Sequence, residues 1–153
     1  LSHRAIHLQN RQRSVRCDLA WLRQFAPVAL AAVEAEGIAP GSALKGLQEI
    51  EVTILSDRAI AAVHRRFMNI AGPTDVITFE HGEIVIGAGT AARQAREFGQ
   101  PLERELGLYI IHGLLHLNGH DDRAEPAASR MKKTQSALLA RALAKLGGAG
   151  PDR

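Results

Sequence analysis

Ile111-His112-Gly113-Leu114-Leu115-His116-Leu117-Asn118-Gly119-His120-Asp121-Asp122 is the stretch around which the rest of the chain can be read. His112 and His116 are four residues apart, and on a helix such residues share a face. Two imidazoles one turn apart can close on one metal ion. The preceding run, Leu106-Gly107-Leu108-Tyr109-Ile110-Ile111, is apolar and has helical character. Gly119 follows it and can take the left-handed conformation that ends a helix. The chain is therefore expected to turn back at Gly119 and bring His120, Asp121 or Asp122 over the two histidines. The pattern His-x-x-x-His-x-x-Gly-x-x-Asp supplies two nitrogens and a carboxylate oxygen. It leaves a fourth position open for water, as in a catalytic zinc site. A chance or packing pair of histidines is the competing explanation. Against it stands concentration, since three of the seven histidines fall within the nine residues His112–His120.

A zinc peptidase helix carries Glu directly after the first His, as general base. Here that position is Gly113, and no carboxylate lies within the two-histidine turn. Peptidase chemistry by that route is not expected.

The block His112-Gly113-Leu114-Leu115-His116-Leu117-Asn118-Gly119-His120-Asp121 resembles the signature of the YbeY family of zinc-dependent rRNA-maturation endoribonucleases. Two further blocks are similar to that family's: Gly72-Pro73-Thr74-Asp75-Val76-Ile77-Thr78-Phe79 and the strand-like Gly82-Glu83-Ile84-Val85-Ile86. The resemblance spans roughly Glu49 to Leu146. It implies a zincin-like fold, one Zn2+ per chain, and His112 and His116 as ligands. The family's third ligand is a His ten residues after the first, and here that position is Asp122. Aspartate is an acceptable zinc ligand with a harder oxygen donor, so Asp122 is the expected third ligand and His120 the alternative. The family also has an Arg after the aromatic residue preceding the Pro-Thr-Asp block, assigned to the cleavage step. Here Met68 follows Phe67, and Arg65 and Arg66 are the nearby cations that could contact phosphate in its place. The loop between Phe79 and Gly82 is also shorter than the family's.

Length and composition set the outer bounds. A chain of 153 residues reads as one domain, here 1–146 with a glycine-rich tail 147–153. Hydrophobic residues at 46% and charged residues at 23% are ordinary for a globular protein. The single cysteine, Cys17, excludes an internal disulfide and reads as a packing residue in a reducing compartment. No apolar run reaches the length of a membrane span, and Leu1 to Asn10 lacks a signal-peptide core. A soluble, cytoplasmic protein is expected. The net charge of +3 permits RNA binding without announcing it. Arg11, Arg13 and Arg16 read first as a solvated face and second as an RNA-contacting edge.

Extended pieces are expected at Ile6–Asn10 and Ser14–Cys17. A helix capped by Asp18 follows, kinked or divided at Pro27 and ended by Gly37. Ile50, Val52 and Ile54 alternate with Glu49, Glu51 and Thr53 in a half-buried strand. Ser56 caps a helix with Ile60, Val63 and Phe67 inward and His64 on the surface. Asp75–Phe79 and Glu83–Ile86 form a hairpin about Glu80-His81-Gly82. Asp75 is either a turn former or a partner that orients a ligand histidine. Helices at Thr90–Phe98, Leu102–Asn118 and Ala127–Leu146 complete an α+β architecture. In it a small mixed sheet, partly hairpin, packs on helices, with the metal-bearing helix central.

The functional expectation follows from site and resemblance together. It is a single-strand-specific metal-dependent endoribonuclease acting on the 16S rRNA precursor and in ribosome quality control. RNA and the ribosome or its small subunit are the partners, and His120 is a candidate proton carrier because imidazole titrates near neutral pH. The alternative is a metal-stabilised ribosome- or RNA-binding protein with little or no nuclease activity. A metal-dependent hydrolase of another substrate is a third possibility, since a fold does not dictate a substrate.

Overall fold

The computed structural model describes residues 3–147, so most of the expected C-terminal tail lies outside the described residues. Strand β1 (Ala5–Asn10) leads into helix α1 (Leu19–Ala35), strand β2 (Glu49–Leu55) and helix α2 (Asp57–Met68). Strands β3 (Val76–Phe79) and β4 (Glu83–Gly87) follow, then helices α3 (Ala88–Glu97), α4 (Leu102–Leu117) and α5 (Ala127–Lys145). The sheet order is β1-β2-β4-β3. β1, β2 and β4 are parallel neighbours, and β3 runs antiparallel to β4 at the edge. The mixed α+β expectation is met.

The alternation in β2 does what its pattern requires. Ile50, Val52 and Ile54 are fully buried, with Ile84 and Ile86 of β4 beside them. α1 and α4 cover that face with α5 packed on both of them, while α2 lies on the other, where Ile60 meets Ile77 and Val85. The hairpin between β3 and β4 closes through Gly82 N–H to the Phe79 carbonyl at 2.9 Å. Gly82 has φ 107°, and a Cβ there would stand 2.9 Å from the Glu49 carbonyl oxygen. Only glycine satisfies both conditions.

α4 is the central helix. It contacts α1, α3, α5, β3 and β4. Leu106, Ile110, Ile111, Leu114 and Leu115 have no exposed surface, and side chains of this size each contribute about 1.5–3 kcal/mol on burial. Gly113 faces the sheet: a Cβ would come within 2.7 Å of Ile84 Cγ2. Where a zinc peptidase carries its catalytic Glu, this chain has a close approach of helix to strand. Glu103, 1% exposed in the first turn, accepts from the Asp18 backbone N–H at 2.8 Å. A carboxylate there suits the positive end of the helix dipole.

Several expectations need correction. Ser14–Cys17 is not a strand but an irregular connection held by Gln12, whose amide bonds the Val15 backbone in both directions. α1 runs undivided through Pro27. Phe67 is not inward: it is 59% exposed in the last turn of α2, where it stands between two surface concavities. His64 is buried, since its Nδ1–H donates to the Gly72 carbonyl at 2.9 Å and so ties down the loop after α2.

Asn118 ends α4 and is 4% exposed. Its Oδ1 accepts from Ala39 N–H at 2.9 Å, and its Nδ2 donates to the Gly37 carbonyl at 2.9 Å. One amide thus locks the loop after α1 onto the end of α4. Asn118→Ala strands both groups, at a cost of about 1–3 kcal/mol. A melting temperature lower by roughly 3–10 °C is the expected outcome in calorimetry.

Candidate metal centre

The site lies where α4 ends. His112 and His116 project from its last two turns, and Gly119, with φ 92°, reverses the chain. The His120 N–H closes back on the Leu115 carbonyl at 3.0 Å. This reversal brings Asp122 to the histidines. Asp122 Oδ2 is 3.3 Å from His112 Nε2, and Oδ1 is 3.6 Å from His116 Nε2. The ligating atoms of His112, His116 and Asp122 all lie within 4.8 Å of one another. Among the described residues no other group of three such side chains converges in this way. His120 is not part of the cluster; its ring lies in the wall of the adjoining cleft.

Both ring tautomers are set by neighbours. His112 Nδ1–H donates to Gln135 Oε1 at 2.8 Å, and His116 Nδ1–H donates to the His120 carbonyl at 3.0 Å. Each neutral ring therefore presents the lone pair of Nε2, and the two Nε2 atoms are 3.0 Å apart. Two lone pairs at that distance repel unless a cation lies between them. A metal ion ligated by both nitrogens and by the Asp122 carboxylate fits this donor set. Burial, and next the neighbouring His112, hold the His116 imidazole below its ordinary pKa, which favours the neutral ring that metals bind. The helix C-terminus adds the negative end of its dipole.

Sequence reasoning missed three contributors. Gln135 stands on α5, 23 positions from His112, and no motif joins them. Asp75 does not take that orienting role; its carboxylate accepts from the Val76 N–H at 2.7 Å and from the Thr74 hydroxyl, a turn-forming arrangement. Asn118 sits inside the signature, but its partners lie some eighty residues away. Arg123 is the third. It lines the cleft, pairs with both oxygens of Asp121 at 3.1 Å, and lowers the pKa of that carboxyl through those hydrogen bonds.

The cleft in front of the triad has a volume of about 950 Å³. Its walls are the edge strand β3, the turn Gly119–Arg123, and Phe67 and Met68 from the end of α2. Arg65 and Arg66 lie on the same last turn of α2, but neither side chain enters the cleft wall. His81 lies outside it as well. A second cavity, of about 490 Å³, lies on the other side of His112 between Asp75, Glu105, Tyr109 and Gln135. Burial pushes the Glu105 carboxyl and the Tyr109 hydroxyl there up.

Comparison with known proteins follows the same lines. The family described as endoribonuclease YbeY matches residues 7–143. The chain belongs to the YbeY endoribonuclease family. Its members are hydrolases acting on RNA. The YbeY endoribonuclease of Moorella thermoacetica is 35% identical over 129 residues, spanning 72% of this chain and 79% of that protein. The one from Syntrophotalea carbinolica is 31% identical over 151 residues, spanning 89% and 94%. The solution structure of a Thermotoga maritima protein superposes with a TM-score of 0.62 at 22% identity, covering 92% of this chain and 91% of that one. At that identity the likeness concerns the fold. The YbeY match begins well before Glu49, so β1 and α1 belong to the shared fold too.

The ligand assignment is open to direct test. Purified wild-type protein is expected to carry about one zinc per chain by elemental analysis. Asp122→Ala is expected to lose it and His120→Ala to keep it. Gln135→Ala, which frees the His112 ring, is expected to weaken zinc binding about 10–100-fold in competition with a chelating dye.

Proposed function

We propose that this protein is a single-strand-specific, metal-dependent endoribonuclease of the cytoplasm. We propose further that it acts in rRNA maturation, at the 3′ end of 16S rRNA, and in ribosome quality control. The observation that carries the reading is the pair of Nε2 atoms 3.0 Å apart under the Asp122 carboxylate, in a member of an endoribonuclease family. The ribosomal step comes from the family resemblance of the His112–Asp121 block. No helix among the described residues is long and apolar enough to cross a membrane, which is compatible with a cytoplasmic site of action.

In this reading His112 and His116 would hold zinc through Nε2 and Asp122 through its carboxylate. The ion would supply Lewis acidity there, toward water and a phosphoryl oxygen. The chain's own groups do the rest. Gln135 and the His120 carbonyl keep both imidazoles aimed at one point. Glu is absent from position 113, so a proton acceptor must come from elsewhere. His120, in the cleft wall and outside the ligand set, is assigned the proton transfer at the attacking oxygen, whether that is water or an RNA 2′-hydroxyl. Arg123 is the one arginine or lysine in the cleft wall, and it can exchange its Asp121 partner for an RNA phosphate. Met68 offers no such charge. Arg65 and Arg66 are left to attract RNA from outside the cleft.

A single-turnover assay on a short single-stranded RNA tests the reading. Cleavage is expected with zinc-loaded protein and none after chelation. Arg123→Ala is expected to weaken RNA binding and to flatten its salt dependence by about one phosphate contact. Zinc-bound protein that binds RNA but never cuts it would turn the reading to the alternative, a metal-stabilised RNA- or ribosome-binding protein.

A further inference from the structure

Four large apolar side chains are exposed among the described residues: Phe67, Met68, Ile70 and Phe98. Three of them cluster at the end of α2, and Phe67 and Met68 line the cleft that holds the His112–His116–Asp122 group. Phe67 is exposed but not loose. The Phe79 ring stands against it at 5.1 Å and 75°, and Phe79 in turn stacks on His81 at 5.6 Å and 21°. The Arg66 guanidinium lies 5.3 Å from the Phe67 ring centre. Four π-bearing groups thus form one ridge from the end of α2 to the β3–β4 turn.

The ridge divides two concavities. On one side is the metal cleft; on the other is a cavity of about 500 Å³ on the sheet face, with Arg11 in its wall. Phe67 and Phe79 line both. A braced, exposed ring between a hydrolytic centre and a flanking cavity is a surface for a flat π-system. Every nucleobase offers such a face, and a guanidinium beside the ring strengthens the stack. In a duplex both faces of a base are covered by its neighbours, so only an unpaired base can use the ring. Arg65 and Arg66 on the same turn supply charge of the right sign for the attached phosphates. That charge favours RNA over an apolar protein surface as the occupant.

We propose that Phe67, braced by Phe79 and Arg66, is a nucleobase-stacking platform. It grips an unpaired base of single-stranded RNA next to the phosphodiester presented to His112, His116 and Asp122. The platform rests on the endoribonuclease reading and adds the group that selects single strands and sets the cleavage register.

The test uses short single-stranded RNAs carrying 2-aminopurine at successive positions, titrated with the full chain. Wild type is expected to quench the probe at one or two positions beside the cleaved bond. Phe67→Ala and Phe67→Leu are expected to lose that quenching and to weaken binding about ten- to hundred-fold, the span of one base–aromatic stack. Phe67→Trp is expected to keep both. KM rises in the Ala and Leu variants, while kcat at saturating RNA stays within a few-fold. Phe98→Ala removes a ring that is 63% exposed but away from the cleft, and is expected to change nothing. Wild-type binding with unaltered quenching and affinity in Phe67→Ala overturns the platform and marks the patch as a protein contact. Wild type that neither binds nor cuts RNA removes the endoribonuclease reading first, and the platform with it.

Discussion

Two imidazole nitrogens facing each other at 3.0 Å are the constraint on which the rest of this structure turns. Left to themselves the rings would rotate apart. They cannot, because each Nδ1–H is committed to an acceptor, Gln135 for His112 and the His120 carbonyl for His116. Convergence is therefore imposed from outside the pair. Asp122 stands against both rings with a carboxylate rather than a third imidazole, a harder and more negative donor.

Holding that geometry needs a rigid base, and α4 provides it. A helix packed against β3, β4 and three other helices has no freedom to shift its last turn. The close approach at Gly113 shows how tightly it sits on β4. The loop beyond Gly119 is restrained in two ways, through the His120 N–H on Leu115 and through Asn118 on the loop after α1. The fold thus converts burial energy in the core into placement of three polar side chains at its edge.

The cleft carries more carboxylates than arginines. Asp75, Glu80, Asp121 and Asp122 line it, against Arg123 and the histidines. Electrostatic attraction alone would hold a polyanion poorly there until a metal ion adds its charge. In the stacking proposal, contacts to Phe67 would offset part of that deficit.

Much of the molecule was legible in the sequence, for local physical reasons. Strict alternation marked β2, the Ser56 and Asp18 caps marked two helix starts, and Glu80-His81-Gly82 marked the hairpin. The spacing of His112, His116 and Gly119 implied a shared site because helix pitch and a left-handed glycine are properties of neighbouring residues. Tertiary structure alone decided what depends on distant partners. Gln135 reaches His112 only because α5 packs on α4, and Asn118 acts on a loop that precedes it by some eighty residues. The burial of His64 and the exposure of Phe67 reversed their helical pattern, because a pattern shows which residues share a face but not what packs against it. The sequence determined which groups could meet a metal ion; packing between elements decided which of them are aimed at it.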